Sequence, residues 1–292
     1  MFCTGRLTVR VADLTLLSGP LPVCNTKRIK ILNFNREFKV NENKNADLGA
    51  PPHSESETTR GRSGLYRSRL RKFQEEVTVY PVSCERLALG RTDEQWLDQV
   101  LAGGARIVQL RDKYSPDRRL LEKARYFRRR TLEEGALFLV NDRLDIAMLA
   151  DADGIHVGRQ DLPPEDIAAL APDMLIGISC NTEEQAAELA VREQAGTLAV
   201  SYYNIGPLFP TGTKEGLARF LGPGAIERFS ALLSLPFTVM GGIKLHNVAE
   251  LTARGAQRIA LVTALTGADN IRAETARWIR EIHNRRKKES HV

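Results

Sequence analysis

From Val77 onward the chain repeats one pattern eight times: a short apolar run bounded by turn residues, then an amphipathic stretch. The apolar runs are residues 77–82, 107–110, 137–140, 154–157, 175–178, 198–200, 237–240 and 258–262. Short, continuously apolar runs are expected of strands covered on both faces. Between them, Thr92 is placed to cap a helix over 93–101, and Asp117 one running to Glu134. Thr182-Glu183-Glu184-Gln185 reads as a capping box before 186–192. Asp269 is placed to cap a last helix carrying Ile271, Thr275, Trp278 and Ile282 at helical spacing. Eight strand–helix units predict an α/β fold, the (β/α)8 TIM barrel. A doubly wound sheet is the alternative. It would put a Gly-rich phosphate turn after its first strand, and Cys84-Glu85-Arg86-Leu87 is not one.

Polar residues cluster directly after these runs: Gln109-Leu110-Arg111-Asp112-Lys113, Asn141-Asp142, Asp161, Ser179, Thr211-Gly212-Thr213-Lys214 and Gly241-Gly242. Packing needs no Arg, Lys or Asp there. Polar groups gathered at one end of successive strands are the sequence image of a βα-barrel active site. Side chains at i, i+2 and i+4 of a strand share a face, so Gln109, Arg111 and Lys113 point together if strand geometry persists. Arg offers a planar fork to phosphate oxygens and Lys a movable charge. The plainer alternative pairs Arg111 and Lys113 with Asp112 at the surface. Mg²⁺ prefers one or two carboxylates plus phosphate oxygens and waters, which makes Asp142 with Asp161 the candidate metal site. Either Asp taken singly reads as a helix N-cap. His156, flanked by apolar residues, reads as structural.

The segment Gly206-Pro-Leu-Phe-Pro-Thr211-Gly-Thr213-Lys214 is dense in hydroxyls, backbone amides and one cation. It matches a flap closing over an anion; an ordinary Pro/Gly turn is the alternative. Gly241-Gly242 and Thr263-Ala264-Leu265-Thr266 follow the seventh and eighth runs. In βα-barrels those loops bind phosphate through backbone N–H groups and a helix N-terminus, and glycine lets the backbone approach closely. Cations, a carboxylate pair, hydroxyls and a glycine pair together describe a pocket for phosphate and diphosphate.

Composition sets the remaining bounds. With 42% apolar and 27% charged residues the chain is an ordinary soluble globular sequence. No apolar run approaches the ~18 residues of a membrane span. The formal charge is +6, with the excess in the first 75 residues and in Arg285-Arg286-Lys287-Lys288. Solvated ends explain it better than nucleic-acid contact, for which no aromatic or groove-reading pattern is present. Cys3, Cys24, Cys84 and Cys180 form no CxxC pair, which points to free thiols in a reducing, cytoplasmic setting. Residues 41–71 are rich in Asn, Ser, Gly, Pro and Arg and carry no helical or strand periodicity. Residues 29–40 could form one hairpin. Residues 1–75 are thus expected to be an extension, largely disordered or linker, and residues 76–292 the barrel. The sequence leaves room for a homo-oligomer without specifying one.

In order and spacing these clusters resemble thiamine-phosphate synthase. The signatures are Val108-Gln-Leu-Arg-Asp-Lys113, Val140-Asn-Asp-Arg143, Ala152-Asp-Gly-Ile-His-Val-Gly158, Gly206-Pro-Leu-Phe-Pro-Thr-Gly-Thr-Lys214 and Met240-Gly-Gly-Ile243. The resemblance implies a (β/α)8 enzyme that joins 4-amino-2-methyl-5-hydroxymethylpyrimidine diphosphate to a thiazole phosphate, with Mg²⁺ required. It implies that Arg111, Lys113, Asn141 and Lys214 hold the diphosphate with Ser179 nearby. It places Mg²⁺ on Asp142 and Asp161, and Gln109 on the pyrimidine side. Thr211, Thr213, Gly242, Val262 and Thr263 are then expected to hold the thiazole phosphate. It also implies a dissociative reaction in which diphosphate leaves first, with Cys180 incidental. Three departures stand out: Arg159 where the family has Gln, Asn181 where it often has His, and a segment 196–206 about three residues long in excess. A related thiazole tautomerase would lose part of the charged set and keep the His. An inactive barrel binding through its basic arm is the non-enzymatic alternative.

Overall fold

The computed structural model describes residues 62–211 and 220–289. Among the described residues eight parallel strands alternate with helices. After helix α1 (Gly64–Glu75) come β1 (Val79–Pro81), α2 (Asp93–Ala102), β2 (Ile107–Leu110), α3 (Asp117–Glu133) and β3 (Leu137–Asn141). Then follow α4 (Leu144–Leu149), β4 (Gly154–Val157), α5 (Pro164–Leu170), β5 (Leu175–Cys180) and α6 (Glu183–Gln194). The chain ends with β6 (Tyr202–Ile205), α7 (Ala225–Ser230), β7 (Phe237–Val239), α8 (Val248–Ala253), β8 (Ile259–Leu261), α9 (Thr263–Thr266) and α10 (Ile271–Glu289). From β2 to β8 each strand pairs with its sequence neighbour, and β1 pairs with β8. The Val82–Gln109 bridge, with Ser83 N–H donating to the Gln109 carbonyl at 2.9 Å, closes β1 on β2. This is the expected (β/α)8 barrel. No described helix is long and apolar enough to cross a membrane.

Strand alternation divides the apolar residues between two cores. Val108, Leu110, Phe138, Val140, Ile155, Ile176 and Ile178 face outward and pack under the helices. Ile107, Leu137, Leu139, Leu175, Tyr80 and Tyr202 fill the barrel interior. Side chains from alternate strands stacked in layers make that interior a packed core rather than a pore.

Helix α1 lies inside the segment read from sequence as linker, so that expectation is corrected from Gly64 onward. Ser63 caps it by accepting from Tyr66 N–H at 3.1 Å. Its inward face is Tyr66, Arg69 and Phe73, at helical spacing. Tyr66 Oη meets Ser201 Oγ at 3.0 Å, and the Phe73 ring lies 4.6 Å from that of Tyr202. Arg69 Nε donates to Asp153 at 3.0 Å and its Nη1 to the Asp173 carbonyl at 2.8 Å. Ser201, Asp153 and Asp173 all precede strands, so α1 plugs the N-terminal mouth of the barrel. The hairpin expected over 29–40, with Cys3 and Cys24, lies outside the described residues.

The sixth strand is also corrected, to Tyr202–Ile205 from the expected 198–200. Leu198 and Val200 are buried, but in the connection leading into the strand. The true strand reads as polar because Tyr202 and Asn204 point into the barrel and find hydrogen-bond partners there. Thr92 makes the expected capping box with Gln95. Thr182 accepts from Gln185 N–H, while the Gln185 side chain accepts from Asn181 N–H instead of returning to Thr182. Two caps move by one residue. Pro116 precedes α3, leaving Asp117 as its first residue, and Asn270 rather than Asp269 accepts from Ala273 N–H.

Candidate active site

Where the strands end, inward-facing side chains surround a cavity of about 580 Å³. It is lined by Gln109, Arg111, Lys113, Asn141, Asp142, Asp161, Ser179, Thr211, Gly242, Val262 and Thr263, together with His156 and Asn204. Every described residue expected from sequence to hold substrate or metal therefore lines this one cavity. Thr213 and Lys214 lie outside the described residues.

The β2 end shows why alternate residues separate. Gln109, Arg111 and Lys113 face the cavity, while Asp112 turns away and accepts from Tyr114 and Ser115 N–H at 3.0 and 2.9 Å. Asp112 also meets the Lys123 ammonium at 2.7 Å, so it is not the partner of Arg111 or Lys113. Lys113 instead pairs across the cavity with Asp142.

Asp142 adopts a left-handed backbone, φ 61°, a conformation Asp tolerates better than most residues. Helix α4 starts at Leu144 and α5 at Pro164, and neither is capped by an Asp side chain. The N-cap alternative for Asp142 and Asp161 is thus excluded. Asp161 accepts from Gly158 N–H at 2.7 Å, which folds its loop back over the β4 end. Burial holds the Asp142 carboxyl above the usual carboxylate range, and the neighbouring Asp161 carboxylate adds to this against the pull of Lys113. Asn141 donates through Nδ2 to Asp142 at 2.7 Å, while its buried Oδ1 has no hydrogen-bond partner. Two adjacent carboxylates facing the single ammonium of Lys113, with an orphaned amide oxygen beside them, form an oxygen-only donor set that fits a hard divalent cation.

A second acidic group is not such a site. Glu85, Asp93 and Asp112 lie close enough together to share an ion, but the Lys123 ammonium already sits among them, 2.9 Å from Asp93. Burial opposes the charge on Lys123, yet these carboxylates hold its pKa above the ordinary value. Asp93, the deepest of the three, is pushed up to about 6 by burial.

The glycine pair has a packing role that sequence reading did not foresee. Gly241 and Gly242 have φ 97° and 64°. A Cβ on Gly241 would sit 2.5 Å from Pro207 Cα, and one on Gly242 2.7 Å from the Phe209 carbonyl oxygen. Their absence lets the β6 and β7 loops join, with Leu208 N–H on Met240 O at 2.9 Å and Phe209 N–H on Gly241 O at 3.0 Å. Cys180 faces the outer core, and burial pushes its thiol up to about 12, which removes it as a nucleophile. Cys84 is likewise a buried free thiol. Arg159 reaches the rim and pairs with Glu188 at 2.6 Å, and Asn181 donates to the Gly206 carbonyl.

Sequence reading missed most of the cavity floor. His156, read as structural, contacts both Tyr202 Oη and Ser179 Oγ at 3.0 Å. Tyr80 accepts from Gln109 Nε2 at 2.9 Å, and Thr238 donates to Asn204 at 2.7 Å. The signal was available: polar residues at inward parity within otherwise apolar strands.

The family model described as thiamine monophosphate synthase matches residues 79–265. A thiamine-phosphate synthase from Pelotomaculum thermopropionicum is 37% identical over 228 residues, covering 78% of this chain and 97% of that protein. One from Methanoculleus marisnigri is 38% identical over 204 residues, covering 70% and 93%. Among solved structures, thiamine phosphate pyrophosphorylase from Pyrococcus furiosus superposes with a TM-score of 0.65 at 30% identity, covering 73% of this chain and 98% of that one.

Proposed function

The chain belongs to the thiamine monophosphate synthase family, and from that membership we propose how its cavity works. The protein is a transferase of thiamine biosynthesis. It condenses the aminopyrimidine methyl diphosphate with the thiazole phosphate to give thiamine phosphate and diphosphate. The observation that carries the site assignment is the convergence of two cations, a carboxylate pair and hydroxyls on one 580 Å³ cavity. The relatives favour this reading over a tautomerase or an inactive binding barrel.

Arg111 and Lys113 hold the diphosphate, with Asn141 and Ser179 beside it and Lys214 as a further cation. Charge grows on the diphosphate as its bond to the pyrimidine methylene breaks, so fixed cations and donors stabilise the transition state more than the ground state. Asp142 and Asp161, with Asn141 Oδ1 alongside, would hold Mg²⁺, which neutralises diphosphate charge when bound. The Lys113–Asp142 pair keeps the carboxylate partly compensated beforehand. Gln109 orients the pyrimidine. Thr211, Thr213, Gly242, Val262 and Thr263 hold the thiazole phosphate and bring the ring nitrogen to the methylene carbon. The step needs no protein nucleophile, in keeping with the inert Cys180.

Mg²⁺ titrations of activity in Asp142→Ala and Asp161→Ala test the assignment. Each variant should fold normally and lose at least about a hundredfold in rate at limiting Mg²⁺, the scale of losing one preorganised charge contact. An unchanged rate there would remove these residues from the metal site.

A further inference from the structure

Five polar side chains, one from each of five strands, form a row across the barrel beneath the cavity. Gln109 Nε2 lies 2.9 Å from Tyr80 Oη, which lies 2.9 Å from Tyr202 Oη. Tyr202 Oη lies 3.0 Å from His156 Nδ1, and His156 Nε2 lies 3.0 Å from Ser179 Oγ. The two ends, Gln109 and Ser179, line the cavity, whereas the central Tyr202 is fully buried. Its ring is held between Phe73, 4.6 Å away, and Gly177, where any Cβ would overlap the Tyr202 Cζ and Oη.

Each phenol carries one proton, and so does a neutral imidazole. Such a row has two self-consistent polarities. In one, Gln109 donates to Tyr80, Tyr80 to Tyr202, and Tyr202 to His156 Nδ1. His156 then carries its proton on Nε2 and donates to Ser179, whose own O–H is left to donate into the cavity. In the other, Ser179 donates to Nε2, Nδ1 carries the proton, and Gln109 must turn its carbonyl oxygen to Tyr80. Ser179 then offers the cavity lone pairs only. A diphosphate has acceptors and no donors, so only the first polarity suits it. That polarity is also the one in which Gln109 places Nε2 on Tyr80.

We infer that Tyr202 and His156 are positioning residues that fix Ser179 as a hydrogen-bond donor and couple its state to the amide orientation of Gln109 on the far side of the barrel. The inference rests on the proposed placement of diphosphate beside Ser179, and extends it to residues that act through others.

The test is long-range ¹⁵N–¹H correlation on ¹⁵N-histidine-labelled full-length protein without substrate, with His156 assigned through His156→Gln. The expected state is neutral His156 protonated on Nε2. Tyr202→Phe removes the donor to Nδ1, and should mix the tautomers and weaken binding of inorganic diphosphate with Mg²⁺ about tenfold, the scale of one hydrogen bond. Ser179→Ala should weaken it similarly, and the double variant no more than either alone, because both act through one contact. A His156 protonated on Nδ1, or on both nitrogens, in the wild type overturns the inference whether or not Tyr202→Phe folds. So does Tyr202→Phe with unchanged tautomer and binding. Because the tautomer is read on resting protein, lack of synthase activity with the Nε2–H form would sink the functional reading alone. An active enzyme with the Nδ1–H form would sink the chain alone.

Discussion

Replacing Phe73 by Ala tests whether α1 is part of the barrel. Phe73 is fully buried, faces Tyr202 at 4.6 Å, and has the Arg258 guanidinium over its ring, 5.1 Å from the ring centre. Emptying such a site costs about 3–5 kcal/mol from lost burial and the residual cavity. The lost cation–π contact adds about 0.5–1 kcal/mol, placing the expected effect near 4–5 kcal/mol. A domain is typically stable by only ~5–15 kcal/mol, so this is a large fraction. The assay is urea unfolding followed by intrinsic fluorescence. With a slope near 3 kcal/mol/M the midpoint should fall by about 1.5 M. Leu65→Ala is the control: Leu65 is on the same helix but 51% exposed, and should change stability by no more than about 0.5 kcal/mol. Truncation gives the coarser version: removing residues 1–61 should leave the barrel intact, and removing 1–75 should not. Equal effects of Phe73→Ala and Leu65→Ala, or a stable fold without 1–75, would mean that α1 is not part of the barrel.

Gly177→Ala should abolish detectable synthesis while leaving far-UV circular dichroism near normal, because the new methyl displaces Tyr202 from the row below the cavity; wild-type kinetics would contradict this. Gly242→Ala should lower both stability and activity, since the left-handed backbone and the Phe209 carbonyl leave no room for a side chain; thermal melts and rates together check it. Asp93 gives a pH prediction. Its folded pKa of about 6 lies above the ordinary 3.8, so its contribution to stability is complete below about pH 3.8 and is lost as pH rises through 6. Asp93→Asn should remove that loss and so be more favourable to stability at pH 8 than at pH 4; a pH-independent difference between the two proteins would contradict the assignment.

Most of the barrel was legible because buried parallel strands carry a distinctive apolar signature. Residues 107–110 and 154–157 match their strands without adjustment. The sixth strand failed for the opposite reason: its inward positions are Tyr202 and Asn204, and polar side chains there erase the pattern that marks a strand. Helix α1 was illegible because its buried face consists of Tyr66, Arg69 and Phe73 only, within an otherwise basic run. Arg69 is buried by pairing with Asp153, which no periodicity rule anticipates. In the cavity, residues at strand ends were found because charge at those points serves no packing purpose. The floor was missed because His156 and Tyr80 sit within strands, where a single polar residue reads as a satisfied core group. Gly241 and Gly242 were found for an expected phosphate contact, while their close approach to Pro207 and Phe209 depends on loop geometry that only the fold reveals.

The central claim is that this cavity joins the two precursors with Mg²⁺ on Asp142 and Asp161. Its most direct test is thiamine phosphate formation by the purified full-length protein from the pyrimidine diphosphate and the thiazole phosphate, with Mg²⁺ supplied or chelated. Product should form with Mg²⁺, fall to essentially none after chelation, and return when Mg²⁺ is restored. Folded protein that makes no product with Mg²⁺ present, or makes it equally well in chelator, would contradict it.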